Sequence, residues 1–179
     1  QVNRIRFLLE CTSYIRCFFV LGDLPELRNM SEMLPGINVH TIPFPSLDPV
    51  SFDNGDNKRN ISTDFLFTGP KTEYRSSIYS VLQNYGLSIT WPDKFISRRM
   101  RNKLTSRSKI ILNLPQRADW HWISLMRVIA ALRSGRATIS LGTEDESRIA
   151  SCCVQMDMNE EQWLELLKER VQDWQTSYH

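Results

Sequence analysis

Apolar side chains recur along this chain at two periods, and the switches between the periods predict its elements. The most informative stretch is 108–141. A β-branched run, Ser108-Lys-Ile-Ile-Leu-Asn113, leads through Leu114-Pro115 into a polar loop at 116–121. An apolar segment follows and is closed by Ser134-Gly135, and Arg136-Ala-Thr-Ile-Ser-Leu141 is a second β-branched run. Strand, loop, helix (placed at 120–134) and strand make a βαβ unit long enough for a right-handed crossover. Its loop falls at the carboxyl end of a strand and the start of a helix, where open α/β sheets take ligands.

Upstream, residues 3–15 carry Ile5, Leu8, Leu9 and Ile15 at helical spacing, and 16–21 reads as a buried strand. Asp23 predicts the cap of a helix that stops at Pro35-Gly36, with a short strand at 39–42. Pro43, Pro45 and Pro49, then the polar run 51–60, mark a linker, with a boundary near 50–62. Alternation resumes with a strand at 64–68 that runs into Gly69. A helix at 75–85 with Ile78, Val81 and Leu82 on one face is closed by Gly86, and 87–91 is the next strand. Asp93 predicts the cap of a basic helix through Leu104. Val154-Gln-Met156 reads as a short edge strand, and Asn159 with Gln162 as a capping box for a last helix bearing Trp163, Leu166, Leu167, Val171 and Trp174. The fold class this predicts is α/β: a Rossmann-like, doubly wound parallel sheet at 60–179, preceded by a short α/β segment and linker at 1–59.

Composition adds bounds. With 41% hydrophobic and 23% charged residues in 179, the chain has the material for an ordinary globular core. No apolar run approaches the roughly 18–20 residues of a membrane span, and Glu10 interrupts any leader-like start. A chain that opens on Gln is expected to be a fragment. Cys11, Cys17, Cys152 and Cys153 lack zinc-type spacing and read as reduced, buried thiols.

Candidate chemistry gathers in two strand-to-helix loops. Gln116-Arg-Ala-Asp-Trp-His121 offers donors and an aromatic plate for a base or sugar, although Asp119 or Asn113 would also serve as a simple cap. His121 has no nucleophile beside it. Arg127 is the odd member of an apolar helix, sharing a stripe with Trp120, Ser124, Ala131 and Ser134, and it requires either a carboxylate or a phosphate. The other loop, Gly69-Pro70-Lys71-Thr72-Glu73-Tyr74-Arg75, lacks both the dinucleotide and the Walker glycine patterns. Gly69 permits close approach, and Lys71 and Arg75 place charge near a helix start. The two loops become neighbours if their strands are first and fourth in a 3-2-1-4-5-6 sheet. Residues 94–109 hold seven basic side chains and no acid, which reads as a solvated helix face or a contact for acidic lipid headgroups. Nucleic acid is disfavoured, since the patch is short and the net charge only +2. Asp145 reads as solvated loop.

Together, Asp64-Phe-Leu-Phe-Thr-Gly69, Tyr74-Arg75, Ser108-Lys-Ile-Ile-Leu-Asn113 and Arg127-Val-Ile-Ala-Ala-Leu-Arg-Ser-Gly135 before a strand resemble the C-terminal, donor-binding domain of GT-B glycosyltransferases, in particular bacterial family-1-like members. Ile42-Pro-Phe-Pro45 resembles the end of their acceptor domain, which would make 1–59 its tail plus linker and 60–179 the donor domain. The resemblance implies transfer of a sugar from a nucleotide-diphosphate sugar to a glycan or lipid-linked acceptor, with no structural metal or cofactor. It also implies a cytoplasmic protein, peripheral at the inner face of a membrane through 94–109. The implied donor-binding residues are Gly69, Lys71, Arg75, Asn113, Trp120, His121, Ser124 and Arg127, with no catalytic residue assigned. One departure stands out. Aligned on Arg127 and Gly135, the family's Glu-x7-Glu positions are Trp122 and Ala130 here, which keeps two alternatives open: a non-catalytic Rossmann-like module, or a nucleotide-sugar epimerase of the same architecture.

Overall fold

The computed structural model describes residues 2–21, 29–43 and 60–176, and the chain divides into two compact units, 1–46 with 146–149 and 47–145 with 150–179. In the smaller unit α1 (Val2–Glu10) and a 3-10 turn (Thr12–Tyr14) precede β1 (Cys17–Leu21), and α2 (Met30–Met33) precedes β2 (Asn38–Ile42). β1 and β2 pair in parallel, Cys17 opposite Asn38 and Leu21 opposite Ile42. Met30, Leu34 and Ile37 form its core, covered by Leu8, Ile15, Phe18 and Val39. The first helix is shorter than the predicted 3–15: Thr12 Oγ1 donates back to the Leu9 carbonyl (2.7 Å), and the chain tightens into the 3-10 turn. The start of the helix expected from Asp23 and nearly all of the linker at 51–60 lie outside the described residues.

The larger unit contains β3 (Thr63–Leu66), α3 (Glu73–Asn84), β4 (Ile89–Thr90), α4 (Arg98–Ser106), β5 (Ser108–Asn113), α5 (Leu125–Leu132), β6 (Thr138–Leu141), β7 (Val154–Met156) and α6 (Trp163–Gln172), and the division between the units falls within a 3-10 turn at Arg148–Cys152. Its five strands are all parallel, in the order β4-β3-β5-β6-β7. Counted within this unit that is 2-1-3-4-5, which corrects the expected 3-2-1-4-5-6. Only one strand, β4, is laid down on the far side of β3 before the chain crosses back. The neighbour relation that matters survives: β3 lies against β5, Thr63 opposite Ser108 and Leu66 opposite Ile111.

Period-two alternation sorts the core onto two faces. Phe65, Phe67, Ile110, Leu112, Leu114, Ile139 and Leu141 pack with Ile78 and Leu82 of α3 and Leu167 and Val171 of α6. Leu66 and Ile111 turn the other way and meet Ala131 of α5 and Leu104 of α4. The sheet is therefore covered on both sides, and each fully buried aliphatic or aromatic side chain contributes about 1.5–3 kcal/mol before entropy is counted. Among the described residues no helix is long and apolar enough to cross a membrane.

Local hydrogen bonds moved several predicted boundaries. Ser97 rather than Asp93 caps α4, its Oγ accepting from the Met100 amide (3.2 Å), while Asp93 pairs with Lys71. α6 begins after Gln162, because Asn159 is held by Asp157 (Nδ2 to Oδ1, 2.8 Å). Gly86 does close α3, at φ 82°. Cys11 and Cys152 are exposed rather than buried.

Candidate functional site

Strand order reverses between β3 and β5, so the loops leaving their carboxyl ends flank the switch point of the sheet, where open α/β folds have room for a ligand. On the β3 side Phe67 is buried, and Gly69 is small for a packing reason. A Cβ there would run into the Phe67 ring and lie 3.0 Å from Arg75 Nη1. Thr72 caps α3, accepting from the Arg75 amide (3.3 Å), and its hydroxyl donates to the Gln116 carbonyl (3.1 Å). Arg75 is buried and spent on main chain: Nε donates to the carbonyls of Leu114 (3.2 Å) and Pro115 (3.0 Å), Nη1 to Pro70 (3.0 Å) and Nη2 to Leu114 (2.6 Å). Burial depresses its pKa. Arg75 thus builds the crevice by tying its two loops together through their main chain. Lys71 is exposed, paired with Asp93 and 5.6 Å from the Trp91 ring.

On the β5 side the expected helix 120–134 begins only at Leu125. The reason is visible in the preceding amides. Ile123 N–H goes to Asp145 Oδ2 (2.8 Å) and Ser124 N–H to Asn113 Oδ1 (3.3 Å), so both donors are satisfied without a helical turn. Asp145 is accordingly buried, not solvated, and is further anchored by Gln155, whose Oε1 accepts from the Asp145 amide and whose Nε2 donates to its carbonyl, each at 2.8 Å. Trp120 and His121 lie in this non-helical lead-in. Trp120 packs edge-on against Trp122 (5.2 Å between centroids), and the His121 side chain is exposed. Neither shares the helical stripe expected of Trp120.

Asn113, 1% exposed, is the hinge-pin of this side. Its Nδ2 donates to Ser140 Oγ (2.7 Å), which also accepts from Thr143 Oγ1 (2.7 Å), and its Oδ1 accepts from Arg127 Nη1 as well as from Ser124. Arg127, in the first turn of α5, lies 4.9 Å from the Phe67 ring centroid, with Arg75 5.0 Å from the same centroid. Burial first, and the nearby charge of Arg75 second, pull its pKa down to about 10, so it remains a cation at neutral pH. Among the described residues no carboxylate pairs with it, and its Nε is buried without a partner.

A cavity of about 190 Å³ opens between α4 and α5 on this face, lined by Thr68, Arg101, Thr105, Ser124, Arg127 and Ala130 over a floor that includes Leu66 and Ile111. Of the eight residues singled out in the sequence, Ser124 and Arg127 line it and Asn113 bonds to both. Gly69 and Arg75 shape the adjacent loops, whereas Lys71, Trp120 and His121 lie elsewhere. Arg101 was missed because the basic run 94–109 reads as one solvated face. The usable signal was spacing: Arg101, Leu104 and Thr105 stand at i, i+3 and i+4 and turn inward together. Among the described residues no three His, Cys, Asp or Glu side chains converge as metal ligands. Comparison with protein-family models, with curated proteins and with solved structures finds no match to the chain.

Proposed function

We propose that the larger unit is the donor-binding domain of a GT-B glycosyltransferase, holding a nucleotide-diphosphate sugar for transfer to a polysaccharide or glycoconjugate acceptor. The observation that carries this reading is Arg127, a cation with no carboxylate partner among the described residues, in the first turn of a helix at the switch point of a parallel sheet. A diphosphate would be favoured there by the guanidinium and by the positive helix end together. The parallel α/β sheet, covered by helices on both faces, supports it at the level of a Rossmann-like fold. A cytoplasmic protein resting on acidic lipid through the exposed Arg98, Arg99 and Lys103 goes with the same reading. Calorimetry with uridine and guanosine diphosphates is the test. Saturable binding is expected, and no binding to this chain or to any longer form containing it would overturn the proposal.

One observation favours a second reading, a binding module without transferase chemistry. Ala130 lines the cavity and Trp122 packs on Trp120, and among the described residues no carboxylate lines the cavity. Transfer or hydrolysis of a nucleotide sugar would discard that reading, and a sugar isomer formed without any acceptor would point to an epimerase.

A further inference from the structure

We infer that the cavity between α4 and α5 is a phosphate-binding subsite gripped by Arg101 from one helix and Arg127 from the other, taking the phosphoryl end of a larger ligand. That the rest of the ligand is a nucleotide rests on the reading above; the subsite itself does not.

Four observations converge. Arg101 and Arg127 both line the cavity, and in each the Nε atom is buried with no hydrogen-bond partner. Buried donors without acceptors are rare and costly in folded proteins. Among the described residues neither guanidinium has a carboxylate partner, and a phosphoryl group in the cavity, with several oxygens, would balance both charges together. Next, among the described residues the lining holds two cations and no acid, together with Thr68 and Ser124. Third, Ser124 stands at the N-terminus of α5 but its side chain makes no capping bond, which leaves the helix end open to an anion. Last, at about 190 Å³ the cavity is smaller than the roughly 300–1,000 Å³ of pockets that enclose a whole small molecule. It fits a head group, not a complete nucleotide. The exposed residues of α4 (Arg98, Arg99, Lys103) face outward, so Arg101 is set apart from the basic surface of its own helix.

The test is a titration of the full chain with pyrophosphate, UDP and GDP, read by calorimetry and by thermal shift, for wild type, Arg101→Gln, Arg127→Gln and the surface control Arg98→Gln. Folding is checked by circular dichroism. Pyrophosphate should raise the melting temperature of the wild type and of Arg98→Gln, and its affinity should fall about tenfold or more in each of the other two variants. If Arg127→Gln does not fold, Arg101→Gln decides alone. Pyrophosphate affinity unchanged in Arg101→Gln overturns the subsite. So does nucleotide binding that is indifferent to Arg101, although the nucleotide reading then stands. Pyrophosphate binding that is lost in the variants, with nucleotides binding no tighter than pyrophosphate, supports the subsite and removes the nucleotide reading. Absence of any binding overturns the subsite, and the nucleotide reading falls with it when longer forms containing the chain bind none either.

Discussion

Arg127 Nη1 donates to Asn113 Oδ1, so a buried cation in this fold answers to a neutral amide instead of a carboxylate. An amide supplies direction without neutralising charge, and the depressed pKa of Arg127 registers the difference. The unfolded chain holds that proton more tightly. The cost is therefore in full force at neutral pH and is relieved only as pH climbs past about 10 toward the ordinary arginine range.

Arg127→Met follows directly. Asn113 Oδ1 keeps the Ser124 amide, the thioether can still cover Phe67, and an uncompensated buried charge disappears. Urea denaturation at pH 7 should show the variant at least as stable as wild type, by about 0–2 kcal/mol. A loss of more than about 2 kcal/mol would assign Arg127 to structural support.

Arg75→Met should behave in the opposite way. It strips donors from the carbonyls of Pro70, Leu114 and Pro115, and the loops lose their tie. A destabilisation of about 2–4 kcal/mol is expected from chemical denaturation, since several hydrogen bonds to a charged donor go together.

Gly69→Ala tests the packing of the same corner. The added methyl meets the Phe67 ring and Arg75 Nη1, and overpacking of this kind costs about 1–3 kcal/mol in thermal or chemical melts.

Acid stability should lean on Asp64. Burial works to raise its carboxyl, but the hydrogen bonds from Lys109 (Nζ to Oδ1, 2.7 Å) and from the hydroxyl and amide of Ser88 outweigh this and hold it below its usual 3.8. The stability it contributes is thus complete above 3.8 and lost as pH falls below that value through the folded-state pKa. Asp64→Asn should cost about 1 kcal/mol at pH 7 and flatten the decline in melting temperature between pH 5 and pH 2.

Thiol reactivity should split the adjacent cysteines. Burial above all, then Asp145 and Cys152, push the Cys153 thiol up to about 12, while Cys152 is exposed. Iodoacetamide at pH 8 should label Cys11 and Cys152 and spare Cys153, as read by peptide mass spectrometry.

The sequence announced the sheet well because a parallel strand buried on both faces must be written as a continuous apolar run, as 108–113 is. The bounds of β5 were readable for that reason, whereas the adjacency of β3 and β5 was expected from a strand order that the structure replaces with 2-1-3-4-5. The start of α5 was not. Residues 120–124 have helical composition, and only the distant acceptors Asn113 and Asp145 draw their amides out of a helix. The site divided similarly. Arg127 stands out in an apolar helix, but the engagement of Arg75 with three main-chain carbonyls depends on how two loops meet in space. Arg136 shows the same limit: buried against the carbonyls of Ser106, Ser108 and Gly135 and stacked on Trp174 at 4.9 Å, it looks in the sequence like the polar start of a strand.

Thr72 and Arg75 bind the chain at 114–116 from one helix end, so the two loops at the switch point are joined by four hydrogen bonds to Leu114, Pro115 and Gln116, and a fifth from Arg75 to Pro70 braces the first loop. Their conformational freedom is surrendered when the chain folds rather than when a ligand arrives. A ligand of the kind proposed would therefore meet a small entropic penalty and no slow ordering step at this crevice, because its walls are already fixed by the fold.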